Sequence, residues 1–455
     1  LQATPNTPPL PLSSADGSAP ERLTLVVQKF GGTSVADAEK LRASARHAQE
    51  ARANGRSVML VVSAMGDGTD DLLELAQTLG PNAADKRELD QMLATGEQVS
   101  ISMMAMTLRS MGIPAASVTG AQAGIRTDAV HGRASIKHID GTRLETMLAQ
   151  GMVPVVAGFQ GVTDAGDTTT LGRGGSDTTA VALAARFGGE CEIYKDVDGV
   201  FTADPRIVPD ARIRETVCYD EMLEAASLGS QVIHPRAVEL AKKFGVPVRV
   251  LHSQRAGNNQ RGTVVVAEDS SMESRVVSSV VLKRGVGRVS IRGLKNTPGV
   301  QSAVFTPLAQ AHIPVDDIIQ EDDGPGTIGL TFTLDKTDLP EVNAVLQTIA
   351  PQLGAQALRI DGGLCTVSAV GAGMRTSSGV AAVMFQALAA EGIMVENITT
   401  SEIRISCVIN EKFGERAVRC IHRAFGLHSG AAEAAQAKLL FEAEVKPATA
   451  EPQKA

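Results

Sequence analysis

Three glycine-rich polar segments carry the residues best suited to chemistry. The first, QKFGGTSV (28–35), ends an apolar run with a lone cation, Lys29, whose burial is costly without a partner. Gly31 and Gly32 let the backbone approach a ligand closely, and the helix start beyond them offers N–H groups to phosphate oxygens. Thr33 and Ser34 can cap that helix. The second, TTTLGRGGSDTTAVALAA (168–185), sets Arg173 among glycines and puts Ser176, Asp177, Thr178 and Thr179 before an alanine-rich helix. Arginine suits two-pronged recognition of a carboxylate, and the unpaired N–H groups of the helix start make a second anion site. The third, YKDVDGVFTADPRIVPDA (194–211), forms two tight acidic turns, with Lys195 and Arg206 available near phosphates. Its acids lack the spacing and terminal Glu of a calcium loop, so a loop beside a nucleotide fits better.

Each segment alone also reads as an ordinary turn, and their combination decides. Glu97 in ATGEQVS is either a solvated charge or a ligand for an ammonium group. The Met-rich face SISMMAMTL (100–108) reads as core, and His131 and His234 lack metal-ligand spacing, so both are assigned structural roles. There is no GxxxxGK[ST] loop, no HRD or DFG, no HExxH and no GxGxxG after a first strand. Cations, glycine amides and helix starts together favour phosphoryl transfer, which needs positioned charge rather than covalent chemistry. No catalytic His or Cys stands out. A carboxylate acceptor is already ionised near neutral pH and needs no general base, and would become an acyl phosphate.

The elements that must hold these residues follow from the pattern. LTLVVQKF (23–30), VMLVVSAM (58–65), SVTG (117–120), VPVVAGF (153–159), CEIYKDV (191–197) and VPVRVL (246–251) read as strands, separated by helices at about 36–53, 89–111 and 176–187. Val-rich strands spaced by helices predict an α/β fold with a mainly parallel sheet covered on both faces, closing near 262–267. Downstream, residues 299–319 align without gaps on 379–399, and IGLTFTL (328–334) matches IRISCVI (403–409). Each repeat reads as a ferredoxin-like βαββαβ module. With 455 residues, two to four domains are expected at roughly 100–200 residues each. A formal charge of −8 argues against a nucleic-acid partner, and no apolar run reaches the ~18 residues that cross a bilayer. Five scattered cysteines without a CxxC point to a reducing, cytoplasmic setting. The proline-rich start reads as a flexible tail rather than a signal peptide, and the Ala/Glu/Lys/Pro end as a second tail.

Taken in order, KFGGTS, SAMGDGTDDLLELA, ATGEQVS, AGFQG, TLGRGGSDTTA, YKDVDGVFTADPR and SQVIHPRAVELA resemble the aspartokinases, over about residues 23–430. The repeated modules resemble the tandem ACT domains that follow the catalytic domain in that family. The resemblance implies a catalytic domain of the amino-acid kinase fold over 22–267 and ACT units over 276–360 and 361–433, flanked by disordered tails at 1–21 and 434–455. It implies transfer of phosphate from ATP, with Mg²⁺ carried on the nucleotide, to L-aspartate, feeding lysine (through diaminopimelate), threonine and methionine synthesis.

Position by position, Lys29 and Asp177 would be catalytic, and Lys29, Phe30, Gly31 and Gly32 would meet the ATP phosphates. Lys195, Asp196 and the run Phe201, Thr202, Ala203, Asp204, Pro205 and Arg206 would hold the nucleotide. Glu97 would take the substrate ammonium and Arg173 a carboxylate, with Ser63, Thr69, Phe159, Gln160, Gly174, Gly175 and Ser176 around them; no metal-ligating side chain is expected. Asn296, Gln301, Pro314, Val315, Asp316 and Gln320 occupy effector positions in the first ACT unit, and Met394, Val395, Thr399 and Thr400 in the second. Lysine, threonine or both would be effectors of a homo-oligomer joined through ACT units. A glutamate-type kinase and an inactive amino-acid sensor remain the alternatives at this point.

Overall fold

The computed structural model describes residues 25–80, 85–230, 232–255, 257, 261–268 and 276–429; the two expected tails lie outside them. Eight strands form the main sheet. Their spatial order is Thr216–Cys218, Thr263–Val266, Val248–His252, Glu190–Lys195, Leu25–Phe30, Ser57–Val62, Val153–Ala157 and Ala115–Val118. Every neighbouring pair is parallel except Val248–His252 with Thr263–Val266, as expected for Val-rich strands returned by helices.

Strand Leu25–Phe30 is buried along its whole length, and its alternating side chains feed two cores. Val27 packs with Met59, Ile193 and Leu183 of helix Gly175–Phe187. Val26 and Phe30 pack on the opposite face with Leu41, Leu60 and Met104. Each fully buried aliphatic of this kind stabilises by about 1.5–3 kcal/mol. Lys29 shares the parity of Val27, so it is directed toward helix Gly175–Phe187. Phe30 faces away, stacked 4.7 Å from Tyr194.

A second, four-stranded sheet, ordered Ile136–Ile139, Ile125–Thr127, Gln160–Val162 and Thr168–Thr170, was not evident from the sequence pattern. It carries the chain from the main sheet into the loop before helix Gly175–Phe187.

The C-terminal part is one six-stranded antiparallel sheet, ordered Ile318–Gly324, Thr327–Asp335, Ser279–Lys295, Ala357–Val370, Arg404–Asn410 and Val395–Ser401. Helices Val300–Gln310 and Val380–Ala390 occupy equivalent places, as do Leu339–Gln352 and Gly414–Ala424. The two long strands are shared: residues 279–283 pair with 366–370, and 286–292 pair with 357–364. The first βαββαβ unit is therefore continuous. The second borrows residues 279–283, which precede the first in sequence, as its closing strand. A cut between residues 360 and 361 falls within the shared strand Ala357–Val370.

Candidate active site

At the C-terminal end of strand Leu25–Phe30, Lys29 Nζ lies 2.7 Å from Asp177 Oδ1, with both side chains at most 6% exposed. Lys195 Nζ lies 3.6 Å from Asp177 Oδ2, and the His234 N–H donates to the same oxygen at 3.4 Å. Asp177 occupies the first turn of helix Gly175–Phe187, where the helix dipole favours a carboxylate. That helix starts at Gly174, whose φ of 69° and close approach to His234 leave no room for a side chain. Burial alone would raise the Asp177 carboxyl, but the Lys29 and Lys195 ammonium groups outweigh it and hold it well below the usual carboxylate range. Burial lowers Lys29, with Asp177 working against the shift. Two ammonium groups against one carboxylate leave a net positive charge at the strand ends, which suits a phosphate.

Around this cluster the backbone is drawn tight. A Cβ on Gly32 would lie 2.6 Å from the Gly66 carbonyl and 2.8 Å from that of Ala64, while the Gly66 N–H donates to Gly32 O at 3.0 Å. Gly32→Ala is thus expected to destabilise by about 1–3 kcal/mol, the usual cost of overpacking. Calorimetric melting would read it as a clear fall in Tm; an unchanged Tm would mean that the two turns do not interlock.

The same turn joins the cluster to Glu97. Ser63 N–H donates to Phe30 O at 3.1 Å, and the next amide, of Ala64, donates to Glu97 Oε1 at 3.1 Å. Helix Lys86–Ser110, capped by Asp85, brings Glu97 inward at 2% exposure. Its Oε2 is buried without a hydrogen-bond partner, and burial pushes the carboxyl up to about 7. A buried carboxylate oxygen without a donor is the feature an ammonium ligand satisfies.

The remaining positions expected to meet substrate are of two kinds. Gln160 is buried and held at both ends of its amide: its Nε2 donates to Ala94 O at 2.9 Å and its Oε1 accepts the Gly120 N–H at 3.4 Å. Phe159 is held at φ 68°, its N–H donating to Thr179 Oγ1 at 3.2 Å and its carbonyl accepting from Leu171 at 2.8 Å. Gly175 makes room for it, and Ser176 is buried against Gly158. Arg173, by contrast, is exposed and makes no ion pair among the described residues. Ser63 and Thr69 are half-buried at the turn and in the first turn of helix Gly68–Gln77.

The positions expected to meet the nucleotide also divide. Gly31 and Gly32 open the short 3₁₀ turn Gly32–Ser34, but the Phe30 side chain is sealed in the core. Lys195 is half-buried, Asp196 is exposed, and Phe201 bridges to Ile213. Asp204 and exposed Arg206 pair at 2.7 Å beside exposed Pro205. Thr202 and Ala203 are buried against the C-terminal sheet instead.

Of the positions expected to meet an effector, Gln301 donates to Gln320 at 2.8 Å and Asp316 pairs with Lys283. Thr399 donates to Asp317 at 3.1 Å, joining the second unit to the first, with Thr400 exposed beside it. Asn296 and Pro314 are exposed, Val315 and Val395 half-covered, and Met394 projects at 77% exposure.

The motifs do not single out Asp90, which is 1% exposed and accepts from His131 Nδ1 at 2.8 Å, from the Gly132 N–H at 3.1 Å and from Thr170 Oγ1. It ties the helix that carries Glu97 to the strand leading into the Arg173 loop. Its signal was its place seven residues before Glu97, on the same buried helix face. His131 serves as its partner, in the structural role expected. Among the described residues no group of three or more His, Cys, Asp or Glu side chains is arranged to hold a metal, and no helix is long and apolar enough to cross a membrane.

The amino acid kinase family model matches residues 24–252, and an ACT domain model matches 367–425. An aspartate kinase of Stutzerimonas stutzeri is 46% identical over 416 residues, covering 91% of this chain and 100% of the relative. An aspartokinase of Geobacillus stearothermophilus is 47% identical over 409 residues, covering 90% and 98%. Among solved structures, E. coli aspartokinase III in complex with aspartate and ADP superposes with a TM-score of 0.76 at 25% identity, over 88% of this chain and 100% of that one. With the parallel sheet, the charged strand ends and the paired βαββαβ units on the same chain, the protein belongs to the aspartokinase family, kinases of the amino-acid kinase fold with C-terminal ACT modules.

Proposed function

We propose that the chain transfers the γ-phosphoryl group of ATP to the side-chain carboxylate of L-aspartate, giving ADP and 4-phospho-L-aspartate. The observation that carries this reading is the Lys29–Asp177–Lys195 cluster linked through one turn to the unpartnered oxygen of Glu97. Lys29 and Lys195 balance charge on the phosphate oxygens, and Asp177 fixes Lys29 at the strand end. Gly31 and Gly32 bring backbone close to the phosphates. Glu97 takes the α-ammonium, and Arg173, free of an ion pair among the described residues, takes the α-carboxylate. The attacking carboxylate has an ordinary pKa of about 3.9 and needs no base. Mg²⁺ would enter with the triphosphate and would offset part of its negative charge, and no side chain of this chain is assigned to hold it.

Lys195, Asp196, Phe201, Asp204, Pro205 and Arg206 hold the nucleotide, and Thr202 and Ala203 anchor that loop from behind. The effector residues named above bind lysine, threonine or both, between chains of a cytoplasmic homo-oligomer that serves lysine, threonine and methionine synthesis. E. coli aspartokinase III, also solved in complex with lysine and aspartate in its T-state, is similar at a TM-score of 0.71 and supports that reading. We divide the regulatory part into a first unit over about 286–363 and a second over about 364–428 completed by 279–283, following the strand pairing.

Trapping the acyl phosphate with hydroxylamine tests the reaction. Hydroxamate should form from ATP, Mg²⁺ and L-aspartate, not from L-glutamate, and should fall when lysine or threonine is added. Turnover on glutamate alone would reassign the substrate. Effector binding without turnover would leave an amino-acid sensor.

A further inference from the structure

The loop after Lys195 runs into the regulatory part. Thr202 Oγ1 lies 2.9 Å from His422 Nε2 and accepts the Arg212 N–H at 3.0 Å. The Thr202 N–H donates to Arg212 O at 2.9 Å, and its carbonyl accepts the Val280 N–H at 2.8 Å. Each polar group of Thr202 thus has a protein partner. Ala203 and Val208 continue the contact, buried in one apolar cluster with Val280, Val367, Val418 and Ile421.

His422 comes from helix Gly414–Ala424 of the second βαββαβ unit and is 1% exposed. Burial lowers its imidazole to about 4, so it is neutral across physiological pH. The link to Thr202 is therefore a constant hydrogen bond and not a proton switch. Among the described residues, a second buried polar contact between the two parts joins Glu221 to Ser278 Oγ at 2.9 Å and to the Ala372 N–H at 2.8 Å. It attaches to helix Tyr219–Ser227, which carries no residue of the site described above. Glu97 and Gln160 make their hydrogen bonds within the catalytic part.

We infer that His422 is a positioning residue for the nucleotide loop: through Thr202 it fixes residues 201–206, so that the second regulatory unit acts on nucleotide affinity rather than on aspartate affinity. This rests on reading residues 195–206 as that loop. A hydrogen bond pulling on one end of a loop alters only what the loop touches. Aspartate, held by Glu97 and the turn at Ser63, is reached by a separate set of bonds.

The test uses full-length His422→Leu, His422→Gln and Thr202→Val, with the fluorescent analogue mant-ADP as probe. His422→Leu should weaken mant-ADP binding and raise KM for ATP by roughly tenfold, the scale of one lost buried hydrogen bond. KM for aspartate should stay within about twofold, and His422→Gln, whose amide can still meet the hydroxyl, should recover most of the loss. Thr202→Val removes the hydroxyl at constant shape and gives the same reading should His422→Leu fail to fold. A lower Tm with unchanged mant-ADP affinity, or equal rises in both KM values, overturns the inference. Wild-type protein that binds mant-ADP without phosphorylating aspartate fails the substrate reading alone, and the variants still decide this one. Wild-type protein that does not bind mant-ADP overturns both.

Discussion

Lys29→Met should lower kcat by about a thousandfold, within the range of 10²–10⁵ found when one charge-stabilising group is removed from an acyl- or phosphoryl-transfer site. The reason lies in its surroundings. Lys29 is 5% exposed and 2.7 Å from Asp177, so its charge acts where little water screens it. Its position is set by the strand and by Asp177 before any ligand arrives, so no reorganisation is needed when charge builds on the transferring group. Methionine is unbranched and only one heavy atom shorter, so it fills most of the same space while removing the charge and the contact to Asp177. The protein should still fold, because Lys195 remains 3.6 Å from Asp177 and spares it the cost of a wholly unpaired buried carboxylate, about 3–5 kcal/mol.

A pH effect on stability follows from the same pair. The depressed Asp177 carboxyl contributes stability that is present above its unfolded pKa and is lost as pH falls through its lower folded value. With one of two cations gone, the variant should unfold at a higher pH on acidification. Steady-state kinetics and acid titration by circular dichroism read both effects. A kcat within tenfold of wild type would remove Lys29 from the mechanism.

What the sequence made legible is what repeats or alternates. The strands around Lys29 were readable because buried parallel strands are Val-rich runs, and Lys29 stood out as a charge inside one. The repeat placed the regulatory helices, because both copies keep the same apolar positions. It could not show which strand closes each unit: residues 279–283 lie upstream of both aligned stretches, and only pairing with 366–370 assigns them. The small sheet escaped because its strands have three or four residues, too short for a period to register. Phe30 illustrates a motif overriding geometry. Its place next to Lys29 puts it on the opposite face by the two-residue period, and its ring lies in the core. Thr202 lies in a nucleotide-type motif, yet it is claimed by contacts 78 and 220 residues away, which no local pattern encodes, and Ala203 is buried beside it in the same cluster.

Glu97→Gln should raise KM for aspartate by about 10–100-fold while changing kcat and mant-ADP affinity little, since a hydrogen bond to a charged group contributes about 1.5–3 kcal/mol. Glutamine still accepts the Ala64 N–H, so the turn is retained and only the charge is lost. The stronger test is pH. With its carboxyl pushed up to about 7 by burial, Glu97 in the free enzyme gains a proton as pH falls below 7, and the neutral form no longer offers an ammonium its negative charge. KM for aspartate should therefore climb by up to about tenfold per pH unit below 7, a slope that glutamine abolishes. Stability runs the other way. A raised carboxyl favours the fold fully below its unfolded pKa, near 4.5, and that contribution is lost as pH rises through about 7. The uncomplexed enzyme should thus gain stability on mild acidification through this group while losing aspartate affinity. Saturating aspartate should cancel both trends, because the bound ammonium restores the ordinary preference for the ionised carboxylate. Persistence of the pH slope in Glu97→Gln, or a KM for aspartate unmoved by the substitution, would place the ammonium elsewhere.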